Sequence, residues 1–236
     1  MKYKIQGEPM PVVIFDLEEG ESIISEAGSM SWMSDNVRMD TKAGKLGKVF
    51  GRMFSGEKIF QNIYTAEENH AQIAFASKFV GQIKAIEVTP DKPVICQKSS
   101  FLASTEGVEM SVFFQKNIGA GFFGGEGFIM QKMSGHGYVF VEIDGSSVDY
   151  ELRSGERMVI DTGFLATCDA TVSIDVQFVK GVKNVLFGGE GLFNTIVTGP
   201  GKITVQTMPL NRFMKLIEAN IEVNKSDNNG GIKFFK

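Results

Sequence analysis

The chain repeats one short sequence pattern three times. A Phe followed two residues later by Gly and then by Glu occurs at Phe54, Phe123 and Phe187. A strand-like run, a turn and a second strand-like run follow each occurrence. A pattern that recurs at a fixed spacing indicates copies of one structural unit that share a core, so this repeat constrains the fold more than any other feature.

Two further landmarks recur in the same order as the Phe motif. One is a turn before a short apolar run, and it begins at Leu17, Val88 and Leu152. The other is a six-residue stretch, which begins at Met30, Phe101 and Phe164. The offsets between the first two copies are 71, 71 and 69 residues, and those between the second and third are 64, 63 and 64. We therefore predict a triplication with units at 1–76, 77–143 and 144–207, followed by a C-terminal segment at 208–236.

The composition places the chain among soluble globular proteins and narrows its partners. It is 43% hydrophobic and 22% charged, and its net charge of −4 argues against a generally basic nucleic-acid binder. Cys96 and Cys168 are too few for a disulfide framework and lack metal-ligand spacing. The N-terminus resembles neither a signal nor a transit peptide, and no apolar run approaches the roughly 20 residues that span a bilayer. We predict a cytoplasmic protein with reduced thiols.

Short alternating segments predict an all-β fold. Residues 138–143 and 202–206 are rich in β-branched and aromatic residues and follow turns that contain two glycines. We expect each of these turns to close a hairpin. One segment differs, because apolar residues follow Pro209 at helical spacing and predict an amphipathic helix over the third unit. They are Leu210, Phe213, Met214, Ile217 and Ile221.

The three motifs and the Thr207-Met208-Pro209-Leu210-Asn211 entry to the helix together resemble one family over almost the whole chain. It is the bacterial branch of the mitochondrial biogenesis proteins named for altered inheritance of mitochondria. The resemblance implies three fused units similar to the tryptophan RNA-binding attenuator protein, each a β-sandwich of the double-stranded β-helix type. It implies a pseudo-threefold arrangement and brings no catalytic residues. The organelle role does not transfer, because this chain shows no transit peptide.

The Gly-Glu segments are open to two interpretations. The glycines could form tight corners while the glutamates cap nearby amides. Alternatively, the three segments could meet at one end of the threefold axis and form an interaction platform for a protein or a membrane surface. The platform residues would be Phe54, Gly56, Glu57, Phe123, Gly125, Glu126, Phe187, Gly189 and Glu190.

If the platform exists, replacing Phe54, Phe123 and Phe187 together with Ser should abolish partner capture and preserve the fold. Removing three exposed aromatic rings would take away apolar contact area without changing the core. Affinity capture from cells, with circular dichroism as the folding control, measures both effects. Unchanged capture by the folded triple variant would rule out the platform.

A basic segment of unit 1 is the strongest electrostatic feature. Between Arg38 and Lys58 the local balance is +4, and apolar residues are interleaved with the cations. Such a segment could contact an anionic membrane or phosphates, or it could be a solvated linker. The candidate contact residues are Arg38, Lys42, Lys45, Lys48, Arg52 and Lys58.

The sequence favours no chemistry. A G-x-G-x-x-G match at 119–124 lacks the strand–helix context of a dinucleotide site. The two histidines, His70 and His136, are too few for a metal centre of the usual kind. We therefore predict no catalytic residue, cofactor or metal, and a non-enzymatic scaffold that forms homo-oligomers through exposed sheet edges. The alternatives are an RNA-binding protein, by resemblance of fold, and a small-ligand or enzymatic β-sandwich.

Overall fold

A computed structural model describes residues 1–43, 60–116, 127–178, 193–222 and 233–234. Most of these residues lie in strands, and one short helix follows the last long strand. The prediction of an all-β chain with a short C-terminal helix is therefore confirmed.

An N-terminal strand precedes three sets of six strands. It is β1, Lys2–Gln6. The first set is β2 Val12–Leu17, β3 Ser22–Glu26, β4 Trp32–Met33, β5 Val37–Ala43, β6 Phe60–Ala66 and β7 Ala71–Ala76. The second set is β8 Gly81–Val88, β9 Val94–Gln97, β10 Phe101–Thr105, β11 Val108–Lys116, β12 Phe128–Gly135 and β13 Gly137–Asp144, with a 3-10 turn at Lys98–Ser100.

The third set completes the body of the chain. It comprises β14 Ser147–Leu152, β15 Arg157–Asp161, β16 Leu165–Asp169, β17 Ser173–Phe178, β18 Phe193–Thr198 and β19 Gly201–Gln206. Helix α1, Leu210–Ala219, follows, and β20 Ile221–Glu222 then pairs with β21 Lys233–Phe234.

The three sets share one pattern of strand pairing. We call the six strands of each set a to f, and the sets units 1 to 3. In every unit, strands a and c pair with f, and strands b and d pair with e, always antiparallel. The pairing pattern therefore recurs three times. The likeness of each unit to the attenuator protein, the threefold axis and the division into the predicted domains stay predictions.

Successive units are joined by strand pairing. Strand b of unit 1 pairs with strand c of unit 2, and strand b of unit 2 pairs with strand c of unit 3. These joints create two six-stranded sheets, in the orders β5-β6-β3-β10-β13-β8 and β11-β12-β9-β16-β19-β14. Each end of the chain keeps a half-sheet, β1-β2-β7-β4 at one end and β15-β18-β17 at the other.

The core is divided into three apolar clusters, and neighbouring units share them. The first contains residues of both sheets of unit 1 together with Phe140 of β13. Val139 and Val141, its neighbours on the same strand, lie in a second cluster. Because alternate residues of a strand point to opposite faces, the shared sheet is buried on both faces at β13. The joints between units are therefore part of the core.

The hairpins predicted at the two-glycine turns are wrong. Strands β12 and β13 are consecutive but belong to different sheets, and the same holds for β18 and β19. The turn at Gly137 instead carries the chain from one sheet to the other, close to the end of β10. A Cβ on Gly137 (φ 135°) would collide with Thr105 Oγ1, which accepts the Tyr138 N–H at 3.0 Å. Glycine is required there for a close crossing.

Helix α1 contacts units 2 and 3, whereas the sequence placed it over unit 3 alone. The Asp144 carboxylate at the end of β13 accepts the Leu210 N–H at 2.7 Å and so caps the first turn. The Phe213 ring lies 5.1 Å from that of Phe79, and the Arg212 guanidinium is 3.7 Å from Asp161. Ile221, predicted as helical, lies in β20.

The crossing predicts a large difference between two glycine substitutions. Gly137→Ala should lower the free energy of unfolding by about 3 kcal/mol, because it adds a collision to an unfavourable backbone conformation. Gly155→Ala is the matched control, since Gly155 also has positive φ (76°) but meets no atom within 4 Å. It should cost about 1 kcal/mol. Urea denaturation measures both, and equal losses would contradict the crossing.

Candidate functional site

The predicted Gly-Glu platform lies outside the described residues. Its segments fall between β5 and β6, between β11 and β12, and between β17 and β18. All three therefore connect strand d to strand e of their units. The residues concerned are Phe54, Gly56, Glu57, Phe123, Gly125, Glu126, Phe187, Gly189 and Glu190. Whether they act as a platform stays a prediction.

Only the start of the predicted basic segment is described. Arg38 and Lys42 lie on β5, an edge strand. The Arg38 guanidinium is 3.1 Å from the Asp40 carboxylate and 3.4 Å from that of Glu67. These carboxylates offset its charge, so Arg38 gives little support to an anionic contact. Lys45, Lys48, Arg52 and Lys58 lie outside the described residues.

The structure draws attention instead to two open strand edges. Strands of types b and c are interior wherever two units meet, but β4 (type c, unit 1) and β15 (type b, unit 3) end their sheets. An unpaired edge presents backbone N–H and C=O groups that can pair with a further strand. The two ends of the chain therefore offer complementary halves of the joint that holds the units together.

Side-chain exposure marks the same two edges. Val159 of β15 is 62% exposed, whereas its counterparts are fully buried on β9 (Ile95) and half-buried on β3 (Ile24). On β4, Trp32 and Met33 are 47% and 37% exposed. Their counterparts in units 2 and 3 are all buried, namely Ala103, Ser104, Thr167 and Cys168. Each end thus exposes apolar side chains at positions that the inner joints bury fully or in part.

A cavity of about 630 Å³ lies beside α1. Its buried carboxylate, Glu142, accepts the Lys78 N–H at 2.7 Å and the Ser77 hydroxyl at 3.2 Å, and it lies 3.3 Å from Lys78 Nζ. Gln97, also buried, has a side-chain oxygen without a hydrogen-bond partner in the described structure. The two hydrogen bonds reach Glu142 Oε2, whereas the buried Oε1 faces only the Lys78 ammonium and has no hydrogen-bond partner in the described ranges. The contacts of Oε2 are those of a carboxylate that holds the backbone of residues 77–78 in place.

The two cysteines of the described core are buried thiols that stay protonated. Burial raises the pKa of the Cys96 thiol strongly and that of Cys168 to about 12, so neither forms a thiolate at neutral pH. No group of three or more His, Cys, Asp or Glu residues in the described ranges could hold a metal ion. Both observations bear on catalysis and metal binding, and neither bears on whether the protein binds a partner.

The family and a solved relative agree with this fold. Residues 3–208 match the family described as "Mitochondrial biogenesis AIM24", and the chain belongs to that family. An uncharacterised protein of Streptococcus pyogenes serotype M6 is 32% identical over 213 residues, covering 86% of this chain and 84% of the relative. The crystal structure of protein SPYM3_0169 from Streptococcus pyogenes matches with a TM-score of 0.75 and 27% identity, covering 92% of this chain and 98% of that one.

These comparisons confirm the resemblance seen in the sequence, including its bacterial branch. The relative is itself described as uncharacterised, so the likeness brings a family and a fold without an activity. None of the helices in the described ranges is both long and apolar enough to cross a membrane.

The sequence analysis did not single out β4 or β15. A signal was present in the differences between copies. Unit 1 has Trp32 and Met33 where unit 2 has the small residues Ala103 and Ser104. A search for likeness between copies passes over such a contrast.

The burial of the Asp144 carboxyl should make stability depend on pH. Burial and the nearby Glu142 raise the pKa of this carboxyl and outweigh the Leu210 N–H and Lys78, which lower it. The folded state therefore holds the Asp144 proton more tightly than the unfolded chain. Its contribution to stability is fully present below the unfolded pKa of about 4 and is lost as the pH rises through the folded value.

Asp144→Asn keeps an acceptor for the Leu210 N–H and removes this titration. As the pH rises from about 4 towards neutrality, the stability of the variant should therefore increase relative to that of the wild type. Urea denaturation of both proteins across this range measures the difference, in which other titrating groups largely cancel. A pH-independent difference would contradict the assignment.

Proposed function

We propose that this protein is a non-enzymatic scaffold that binds its partners by accepting strands at the open edges of its terminal half-sheets. The observation that supports this proposal is the exposure of β4 and β15, which are of the two strand types that join the units elsewhere in the chain. Strand addition at such an edge is a known mode of recognition, in which backbone hydrogen bonds give affinity and side chains give specificity.

The continuity of the sheets across the units suits a scaffold. Two of its sheets extend across neighbouring units, and both faces of at least one are buried in apolar clusters. A body of this kind holds its two ends at a fixed separation and orientation. The predicted cytoplasmic location is part of the proposal.

Placing a charged residue on one open edge should reduce the binding of partner proteins and leave the fold intact. Val159→Lys places a cation on β15, which disfavours the approach of an apolar strand. Val148→Lys is the matched control, because Val148 is 42% exposed and lies on β14, an edge strand of type a. Tagged full-length wild type and both variants are purified from native cells, and the bound proteins are compared, including untagged copies of the chain itself.

We expect the Val159→Lys variant to lose bound proteins that the wild type and the control retain. Retention of every partner by Val159→Lys, and by the corresponding Trp32→Lys variant of β4, would overturn the proposal. Thermal denaturation of each variant confirms that the losses do not come from unfolding.

A further inference from the structure

The two open edges fit each other. Resting on the proposed function, we propose that β15 of one copy pairs antiparallel with β4 of a second copy, in the register that strands b and c use inside the chain. The partner is thus another molecule of this protein, and the contact is head to tail.

The inner joints define the register. Ile24 pairs with Ser104 in one joint, and Ile95 pairs with Cys168 in the other. Val159 occupies the position of Ile24 and Ile95, since each pairs with the equivalent residue of its strand e. Met33 occupies the position of Ser104 and Cys168, since each of these three residues pairs with the equivalent residue of its strand f.

The register therefore places Val159 of one copy opposite Met33 of the next. It also places Ile160 opposite Trp32. Both pairs bring together apolar side chains, and antiparallel pairs of this kind stabilise a sheet. Exposed apolar surface on Val159, Met33 and Trp32 becomes covered in the process.

The size of Trp32 is compatible with this joint. In unit 2, strand c contributes the small Ala103 and its partner on strand f is the large Phe140. In unit 1, strand c contributes the large Trp32 and its partner on strand f is the small Ala74. Each pair therefore consists of one large and one small side chain, but the large one is on strand f in unit 2 and on strand c in unit 1. The total side-chain volume that each pair presents to the neighbouring unit is similar.

Charge complementarity supports a second copy as the occupant. Extended to the start of β15, the register brings Arg157 next to Asp35, just beyond β4. Both residues are exposed in the single chain. The counterparts at the inner joints are Ser22 with Glu106 and Pro93 with Ala170, neither of which is an ion pair. The opposite charges therefore belong to the edges at the two ends of the chain.

The contact is heterologous, because each copy offers one β15 and one β4. No described strand of the same chain pairs with either open edge, so each added copy leaves the same two edges open until a ring closes. The joint would fuse the half-sheets into a seven-stranded sheet, in the order β17-β18-β15 from one copy and β4-β7-β2-β1 from the other.

Disulfide trapping tests the register directly. Full-length Met33→Cys and Val159→Cys chains, carrying different tags, are mixed and oxidised mildly. Directly opposed residues lie within disulfide reach, so a mixed dimer of the two tagged chains should form. The matched control mixes Met33→Cys with Arg157→Cys, which lies on the same face two residues away. It should form far less mixed dimer, and the buried native Cys96 and Cys168 should not compete.

A charge exchange tests the same joint without a covalent bond. Asp35→Arg and Arg157→Asp chains should each self-associate about tenfold more weakly than the wild type, because like charges then face each other. In a mixture, every joint between one variant and the other has opposite charges, so association should recover. Sedimentation velocity at low salt measures the wild type, the two variants and their mixture.

The outcomes separate this inference from the proposed function. A wild type that stays monomeric at all concentrations, or one that associates without the Met33–Val159 disulfide and without recovery on mixing, overturns the head-to-tail joint. Neither result touches strand capture from another protein. That broader proposal falls only if the edge variants keep every partner in the purification from cells.

Discussion

Strand pairing between successive units is the interaction on which the rest of this structure depends. A single unit has six strands in two three-stranded halves, and each half leaves one strand of type b or c at its edge. Pairing β3 with β10 and β9 with β16 turns four of these halves into two continuous sheets. The apolar clusters then extend from one unit into the next, so the joints are part of the core.

The sequence predicted the elements that depend on local pattern. The landmarks at Leu17, Val88 and Leu152 end the three a strands and pair with the equivalent residues Ala71, Gly137 and Gly201. The prediction from sequence failed where one local pattern is compatible with two different tertiary arrangements. A turn with two glycines permits a hairpin or a tight crossing between sheets, and only the long-range pairing of β12 and β13 decides between them. The strand pairing also matches Phe101 with Leu165, one residue beyond the predicted Phe164.

The candidate site was harder to predict than the fold, for a physical reason. Repeat analysis rewards positions that are alike, which directed attention to the Gly-Glu segments. An open edge is instead a property of position along the chain, because the first c strand and the last b strand have no neighbouring unit to pair with among the described residues. The residues that mark these edges, Trp32 and Val159 among them, differ in exposure from their counterparts although the local strand pattern is the same.

If copies associate as proposed, the energetics of one head-to-tail joint would favour closed rings over open chains. Burying an apolar side chain of the size of Val159 contributes about 1.5 kcal/mol or more, and a rim ion pair such as Arg157 with Asp35 adds about 0.2–1 kcal/mol. Bringing two molecules together costs about 4–15 kcal/mol in lost freedom. A single joint is therefore weak. The last joint of a ring forms between molecules that are already connected, so it adds its contacts without that full cost and stabilises the closed assembly.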